Sequence, residues 1–237
     1  MSSKKIEEEK LNREEKEVLT IYDRVRRSEE VKEYYRKGNE ILETMGYTDH
    51  SVKHAAVVAE KAAKILSWFD CSDHEIMLAR TAGYLHDIGN AINRSHHAEY
   101  GALLARSILK EMDVPLADCV AITAAIANHD ETTGNAYDPI SAALIIADKT
   151  DVRRNRVRNK DHSQFDIHDR VNYAVTGARI RYSESKKVIS LNLEIDEKIC
   201  SMYDYFEIFL NRMVMCRRSA EVLGVKFKLI ANGQKVL

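Results

Sequence analysis

The chain has 237 residues, 45% hydrophobic and 31% charged, with a formal net charge of −1. That length can bury a substantial core, as one domain with an appendage or as two small domains, and near-neutral charge excludes a globally polycationic binder of polyanions. Two prolines and nine glycines argue against a loop-dominated or disordered chain.

In chain order, residues 1–27 are charge-dense, with only Ile6, Leu11, Val18, Leu19, Ile21 and Tyr22 spaced thinly among them, and predict a solvated helix. Ser28 before Glu29 and Glu30 reads as an N-cap. The helix it opens turns Val31, Tyr34, Tyr35, Ile41, Leu42 and Met45 inward and stops at Gly46. From Ser51 to about Trp68, Val52, Ala55, Ala56, Ala59, Ala62, Ala63 and Leu66 repeat with the 3.6-residue period of a buried helix. Ser72 or Asp73 caps a helix running through Ile76, Ala79, Ala82 and Leu85 to His86, which Gly89-Asn90 ends. Further helices are expected from about Ala98 to Met112, from Pro115 to about Asn128, and from Ile140 to about Val157. No strand pattern precedes residue 178.

The last third changes character. Ala178–Tyr182 and Lys187–Glu194, separated by Ser183-Glu184-Ser185-Lys186, read as a hairpin. A helix from near Asp196 to Val222 comes next, stopped by Gly224, and then a short strand over Val225–Ile230 ending at Asn232-Gly233. The expected fold is mainly α: an N-terminal helical arm (1–46), a helical core (47–160) and a small C-terminal α+β appendage (161–237). The first residues carry no apolar signal core, and the longest apolar stretches, around Ala121–Ala127 and Ala142–Ala147, are too short to span a bilayer. Four isolated cysteines, Cys71, Cys119, Cys200 and Cys216, form no CxxC pair. A cytoplasmic protein with reduced, packed thiols is therefore expected.

Several of the nine histidines fall where helices end or where an apolar face would bury them. His54 lies in the alanine-rich helix, and His86-Asp87 closes Ala82-Gly83-Tyr84-Leu85. His96-His97 opens the next helix, His129-Asp130 closes the helix from Pro115, and Asp148 interrupts Ala142–Ala147. Buried imidazoles and carboxylates are costly unless paired, and a shared divalent cation is one good partner. Imidazole with carboxylate and no cysteine suits Fe, Mn, Co or Zn in an open, water-bearing site. Taken singly, His54 reads as a core histidine bonded to a carbonyl.

Taken in order, the segments His54-Ala-Ala-Val-Val-Ala, Ala82-Gly-Tyr-Leu-His-Asp-Ile-Gly89 and Ile145-Ile-Ala-Asp-Lys149 resemble the HD superfamily of metal-dependent phosphohydrolases over roughly residues 47–155. The resemblance implies a helical metal-binding core in which His54, His86, Asp87 and Asp148 are ligands. In members with two metals, histidines between the His-Asp pair and the last Asp add a second ion; His97, followed by Ala-Glu-Tyr-Gly-Ala, and His129 match them. One or two divalent ions are thus implied. Two features depart from relatives: Asn90 stands where many carry Lys, and no Gly-Tyr-Pro element follows His129, so the cyclic-dinucleotide substrate of that subgroup does not carry over.

The chemistry implied is hydrolysis of a phosphomonoester or phosphodiester in a nucleotide or related small metabolite. The ion would activate water and polarise the phosphoryl oxygen, and Asp87 would orient that water or take its proton. Lys149 and Arg153 are the sequence-local cations for the developing charge, and His50, four residues before His54, is a further substrate contact. The alternative is a catalytically silent module that senses a nucleotide or metal and acts through partner contacts.

The basic run Lys149, Arg153, Arg154, Arg156, Arg158 and Lys160 reads as a solvated face rather than a nucleic-acid surface, since Asp148, Asp151 and Asp161 dilute it. His74, His162 and His168 read as surface residues. Tyr203, Tyr205, Phe206 and Phe209 read as core or as a dimer face, and with unpaired hairpin edges they favour a homodimer.

Overall fold

The computed structural model describes residues 19–158, 165 and 167–236; the arm before residue 19, and His162, lie outside them. Helix α1 (Ile21–Arg27) is closed by a capping box between Thr20 and Asp23, and α2 (Glu29–Thr44) by the Ser28 hydroxyl. Helix α3 (Val52–Leu66) starts at Ser51, and α4 (Asp73–Leu85) at a Ser72–Glu75 capping box. These are the boundaries that polar caps ahead of apolar periodicity predict. A 3-10 turn (Ile88–Ala91) comes after α4. Then come α5 (His97–Glu111), α6 (Leu116–Ala127) and α7 (Pro139–Lys149).

Helix α7 is the axis of the core. Every residue from Ile140 to Ala147 is buried, because α3, α4 and α6 pack around it; a helix that is apolar all round must be covered all round. Gly89 sets the closest approach in the bundle. A Cβ there would lie 2.0 Å from the His97 carbonyl oxygen and 2.4 Å from the Gly101 nitrogen, so only glycine lets the turn after α4 touch α5.

The helix expected to run to Val157 stops at Lys149. The Thr150 hydroxyl donates back to the Ile146 carbonyl (2.6 Å) at the helix end, and Asp151 turns inward to accept from His54, leaving the helical path. Beyond a 3-10 turn (Arg154–Arg156), helix α8 (Ile167–Ala174), which the sequence pattern does not reveal, leads into the sheet.

The appendage is a four-stranded sheet in the order β1-β2-β3-β4. Strand β1 (Val175–Ser183) begins three residues before the expected start and pairs antiparallel with β2 (Val188–Ile195). Helix α9 (Met202–Val222) then crosses over to β3 (Lys226–Ala231), which lies parallel to β2. The short β4 (Gln234–Lys235) pairs antiparallel with β3. Helix α9 starts at Met202 and not near Asp196, because a Ser201–Asp204 capping box closes its end.

Helix α9 packs on both β3 and α7. Tyr205 and Phe209 are fully buried and stack 5.0 Å apart, while Tyr203 is 76% exposed; the aromatic stripe is therefore core on one side only. At the other end of the interface Trp68 stacks on Tyr182 of β1 at 5.8 Å. One apolar core runs from α3 and α7 through α9 to the sheet. Among the described residues, no helix is long and apolar enough to cross a membrane.

Candidate metal centre

The ends of α4, α6 and α7, the start of α5 and the first turn of α3 converge on one buried cluster. His54 sits one turn into α3. His86 and Asp87 come directly after α4, where the turn at Gly89 lets consecutive side chains face one point. His97 opens α5, His129 lies just past α6, and Asp148 is the penultimate residue of α7. His54, His86, Asp87, His97 and His129 are all buried.

The four histidines are oriented alike. His86 Nδ1 donates to the Gly83 carbonyl (2.9 Å), His97 Nδ1 to the Arg94 carbonyl (3.1 Å) and His129 Nδ1 to the Ile126 carbonyl (2.6 Å). His54 Nδ1 donates to Asp151 Oδ2 (2.8 Å). Every Nδ1 is thus a fixed donor and every Nε2 faces the cluster, the arrangement that prepares imidazoles as metal ligands.

Three buried atoms at the centre, His54 Nε2, His86 Nε2 and Asp87 Oδ2, have no hydrogen-bond partner. Asp87 Oδ2 lies 3.6 Å from His54 Nε2 and 3.3 Å from His86 Nε2. Asp148 Oδ1 lies 3.4 and 3.7 Å from the same two nitrogens. Ligand atoms about 2.1 Å from one ion stand about 3.0 Å apart in an octahedron and about 3.4 Å apart in a tetrahedron. The observed spacing sits at or just outside that range and is too long for good hydrogen bonds, so the donor set fits a divalent cation.

Asp87 Oδ1 turns the other way, 3.6 Å from His97 Nε2 and 3.9 Å from His129 Nε2. Those two nitrogens approach each other to 3.1 Å. Since both rings already donate through Nδ1, two lone pairs face each other unless a cation lies between them. A shared proton is disfavoured: burial holds His97 below its ordinary range, and burial with the neighbouring His97 and His86 pushes His129 down to about 3. The second donor set also fits a cation, with Asp87 shared between the two. His86 behaves differently. Burial opposes its charge, but the Asp87 and Asp148 carboxylates outweigh burial and push it up to about 10 in the metal-free protein.

The other sequence-derived residues are placed unequally. His50 lines the adjoining cavity, with its ring 5.6 Å from His54 and its Nδ1 donating to the Thr48 carbonyl (2.7 Å); burial holds it neutral, well below its ordinary range. Lys149 also lines the cavity, with its ammonium held by Asp148 Oδ2 (2.8 Å) and Glu131 Oε2 (2.6 Å). Arg153 is not on α7, does not line the cavity, and pairs with Asp151 at 2.8 Å.

The basic run is no solvated face. Arg156 is buried against the Asp49 and Asp151 carbonyls. Arg154 donates to the Tyr173 carbonyl, and Arg158 pairs with Glu43 and Asp49. Lys160 lies outside the described residues.

Sequence reasoning passed over Asp151, which anchors His54 and also receives Lys61 and Arg153. It noted Asn90 as a helix-ending residue and as a departure from relatives, whereas the Asn90 amide donates to Asp87 Oδ1 (3.0 Å) and fixes that carboxylate. Glu131, Arg94, Asn172 and Arg212 line the cavity and carried no local signal.

Residues 47–156 match the family model described as HD domain. The match agrees with the resemblance of the His54, His86-Asp87 and Asp148 pattern to the HD superfamily of metal-dependent phosphohydrolases. Among similar proteins is one from Methanocaldococcus jannaschii, described as uncharacterized protein MJ1020. It is 28% identical over 232 residues, an alignment covering 88% of this chain and 83% of the relative. That coverage exceeds the HD segment, so the similarity extends into the flanking parts of the chain.

Proposed function

We propose that the protein hydrolyses a phosphomonoester or phosphodiester of a nucleotide or related small metabolite, using two divalent transition-metal ions drawn from Fe, Mn, Co or Zn. One observation carries the reading: three partnerless polar atoms of His54, His86 and Asp87 converge in the buried centre, and an enclosed charge set of this kind is well satisfied by a shared cation. His54, His86, Asp148 and Asp87 Oδ2 would hold one ion; His97, His129 and Asp87 Oδ1 would hold the other. Such ions supply Lewis acidity, polarising a phosphoryl oxygen and acidifying water.

The chain's own residues do the rest. Asp87, kept ionised by His86 against the effect of burial and anchored by Asn90, orients the attacking water. Lys149 holds Asp148 in place. His50 keeps Nε2 as its remaining ring acceptor and faces the cavity. The cavity of about 310 Å³ beside the centre supports a small metabolite, being at the lower end of small-molecule sites.

The test is elemental analysis of protein purified without added metal, then a phosphoester panel with the metal found. Two equivalents of metal and phosphate release are expected. Asp87→Ala should abolish both and keep the helical circular dichroism. Full metal occupancy with no turnover of any phosphoester would favour a silent sensing module instead.

A further inference from the structure

Four cationic side chains line the cavity: Arg94, Lys149, Arg156 and Arg212. Two of them are engaged by two or more partners within the protein. Lys149 is clamped between Asp148 and Glu131. Arg156 gives Nε and Nη2 to the Asp49 carbonyl (3.1 and 2.9 Å) and Nη1 to the Asp151 carbonyl (2.9 Å). Arg94 gives Nη1 to Asn90 Oδ1 (3.2 Å), and its own carbonyl fixes the His97 ring, so it is built into the metal centre. Arg212 is held at its neck and open at its fork. Its Nε donates to Glu131 Oε1 (3.1 Å) and its guanidinium carbon lies 4.8 Å from the Phe209 ring centroid. Neither terminal nitrogen makes a hydrogen bond to a described residue.

Glu131 ties this arginine to the metal ligands. Asp148, Lys149, Glu131 and Arg212 form a chain of alternating charge with successive separations of 2.8, 2.6 and 3.1 Å. The carboxylate is kept well below its usual range because Lys149 and then Arg212 outweigh burial. A guanidinium fixed through Nε presents its two remaining nitrogens in the geometry that suits two oxygens of one phosphate.

We propose that Arg212, carried by α9 outside the HD segment, binds the phosphoryl oxygens of the substrate, with Glu131 as its positioning residue. The inference rests on the phosphohydrolase reading and adds to it that the appendage completes the binding site. In this arrangement the appendage supplies substrate affinity, and the HD segment supplies the metal.

The test is calorimetric titration of inorganic phosphate into the metal-loaded full-length protein and into Arg212→Gln and Arg212→Lys. Loss of a charge-assisted pair should weaken phosphate binding about tenfold or more in Arg212→Gln, and Arg212→Lys should recover part of that loss. Metal content and the thermal midpoint should match wild type in both variants. Unchanged phosphate affinity in Arg212→Gln would overturn the proposal and leave the phosphohydrolase reading standing. Loss of metal or a lowered midpoint alongside weakened binding would assign Arg212 a structural role and overturn it equally. Failure of the wild-type protein to bind phosphate would overturn the phosphohydrolase reading itself.

Discussion

At His86 a proton and a metal ion compete for one nitrogen. Its Nδ1 is committed to the Gly83 carbonyl, so the proton that Asp87 and Asp148 retain up to about pH 10 sits on Nε2, the atom that faces the centre. This raised value stabilises the metal-free fold fully below the ordinary imidazole range, and that stabilisation is lost as pH rises through about 10. Metal affinity runs the opposite way, because the ion must displace the proton. It should rise about tenfold per pH unit between pH 7 and 9 for one proton released. Competition against a chromophoric chelator measures this, and a flat profile would show that His86 is already neutral.

Asp151 is the second residue-scale case. Because it accepts the His54 Nδ1 proton, Asp151→Ala should cost about 10- to 100-fold in metal affinity, the usual effect of removing an outer-shell partner. Asp151→Asn keeps an acceptor oxygen and should lose less; equal losses would refute an orienting role. The six candidate ligand positions stand out in the sequence because each breaks an apolar helical run or lies at the end of one. Asp151 does not, since it comes after Asp148 in a mixed-charge segment and its partner is 97 residues away. Glu131 and Arg212, 81 residues apart, are hidden for the same reason.

At the scale of elements, the centre depends on how closely the turn after α4 approaches α5. Gly89→Ala would drive a methyl group into the His97 carbonyl. Separating the two elements should cost about 3 kcal/mol, as overpacking a tight contact does, and should move His97 away from Asp87. Thermal melts with metal analysis would record a lower midpoint and loss of the second ion; a variant with wild-type midpoint and two ions would contradict the role given to Gly89. Helix starts were readable because Ser28, Ser51 and Ser72 announce them through local hydrogen bonds. The end of α7 and the start of α9 were less readable. Asp151 leaves the helical path for His54, 97 residues away, and the Ser201–Asp204 cap competes with an equally polar Asp196 upstream.

For the whole molecule, the helical core and the sheet share one apolar interior, joined where α9 covers α7. Near- and far-ultraviolet circular dichroism should therefore report a single coincident transition on heating. A fragment of residues 47–156 exposes the face of α7 that α9 covers, and should bind a hydrophobic dye or precipitate. Two separated transitions, or a soluble fragment with native metal content, would show that the parts are independent. Composition and periodicity indicate a helical body and then strands. They do not indicate that the two are one folding unit, because α9 carries its apolar residues toward α7 and β3 at once, and a one-dimensional pattern does not separate those faces.

The contact between Asp49 and Arg156 has a consequence for how this architecture diversifies. The Asp49 amide donates to the Arg156 carbonyl (2.8 Å) while the Arg156 guanidinium donates back to the Asp49 carbonyl, so the chain enters and leaves the HD segment at one clasped point. Loops next to that clasp can change length without pulling on the metal centre, whereas α2, packed on the turn at Asn90, is bound to it more closely. The C-terminal side of the clasp brings an apolar helix back over α7, sets Tyr182 against Trp68, and places a cation at the mouth of the cavity.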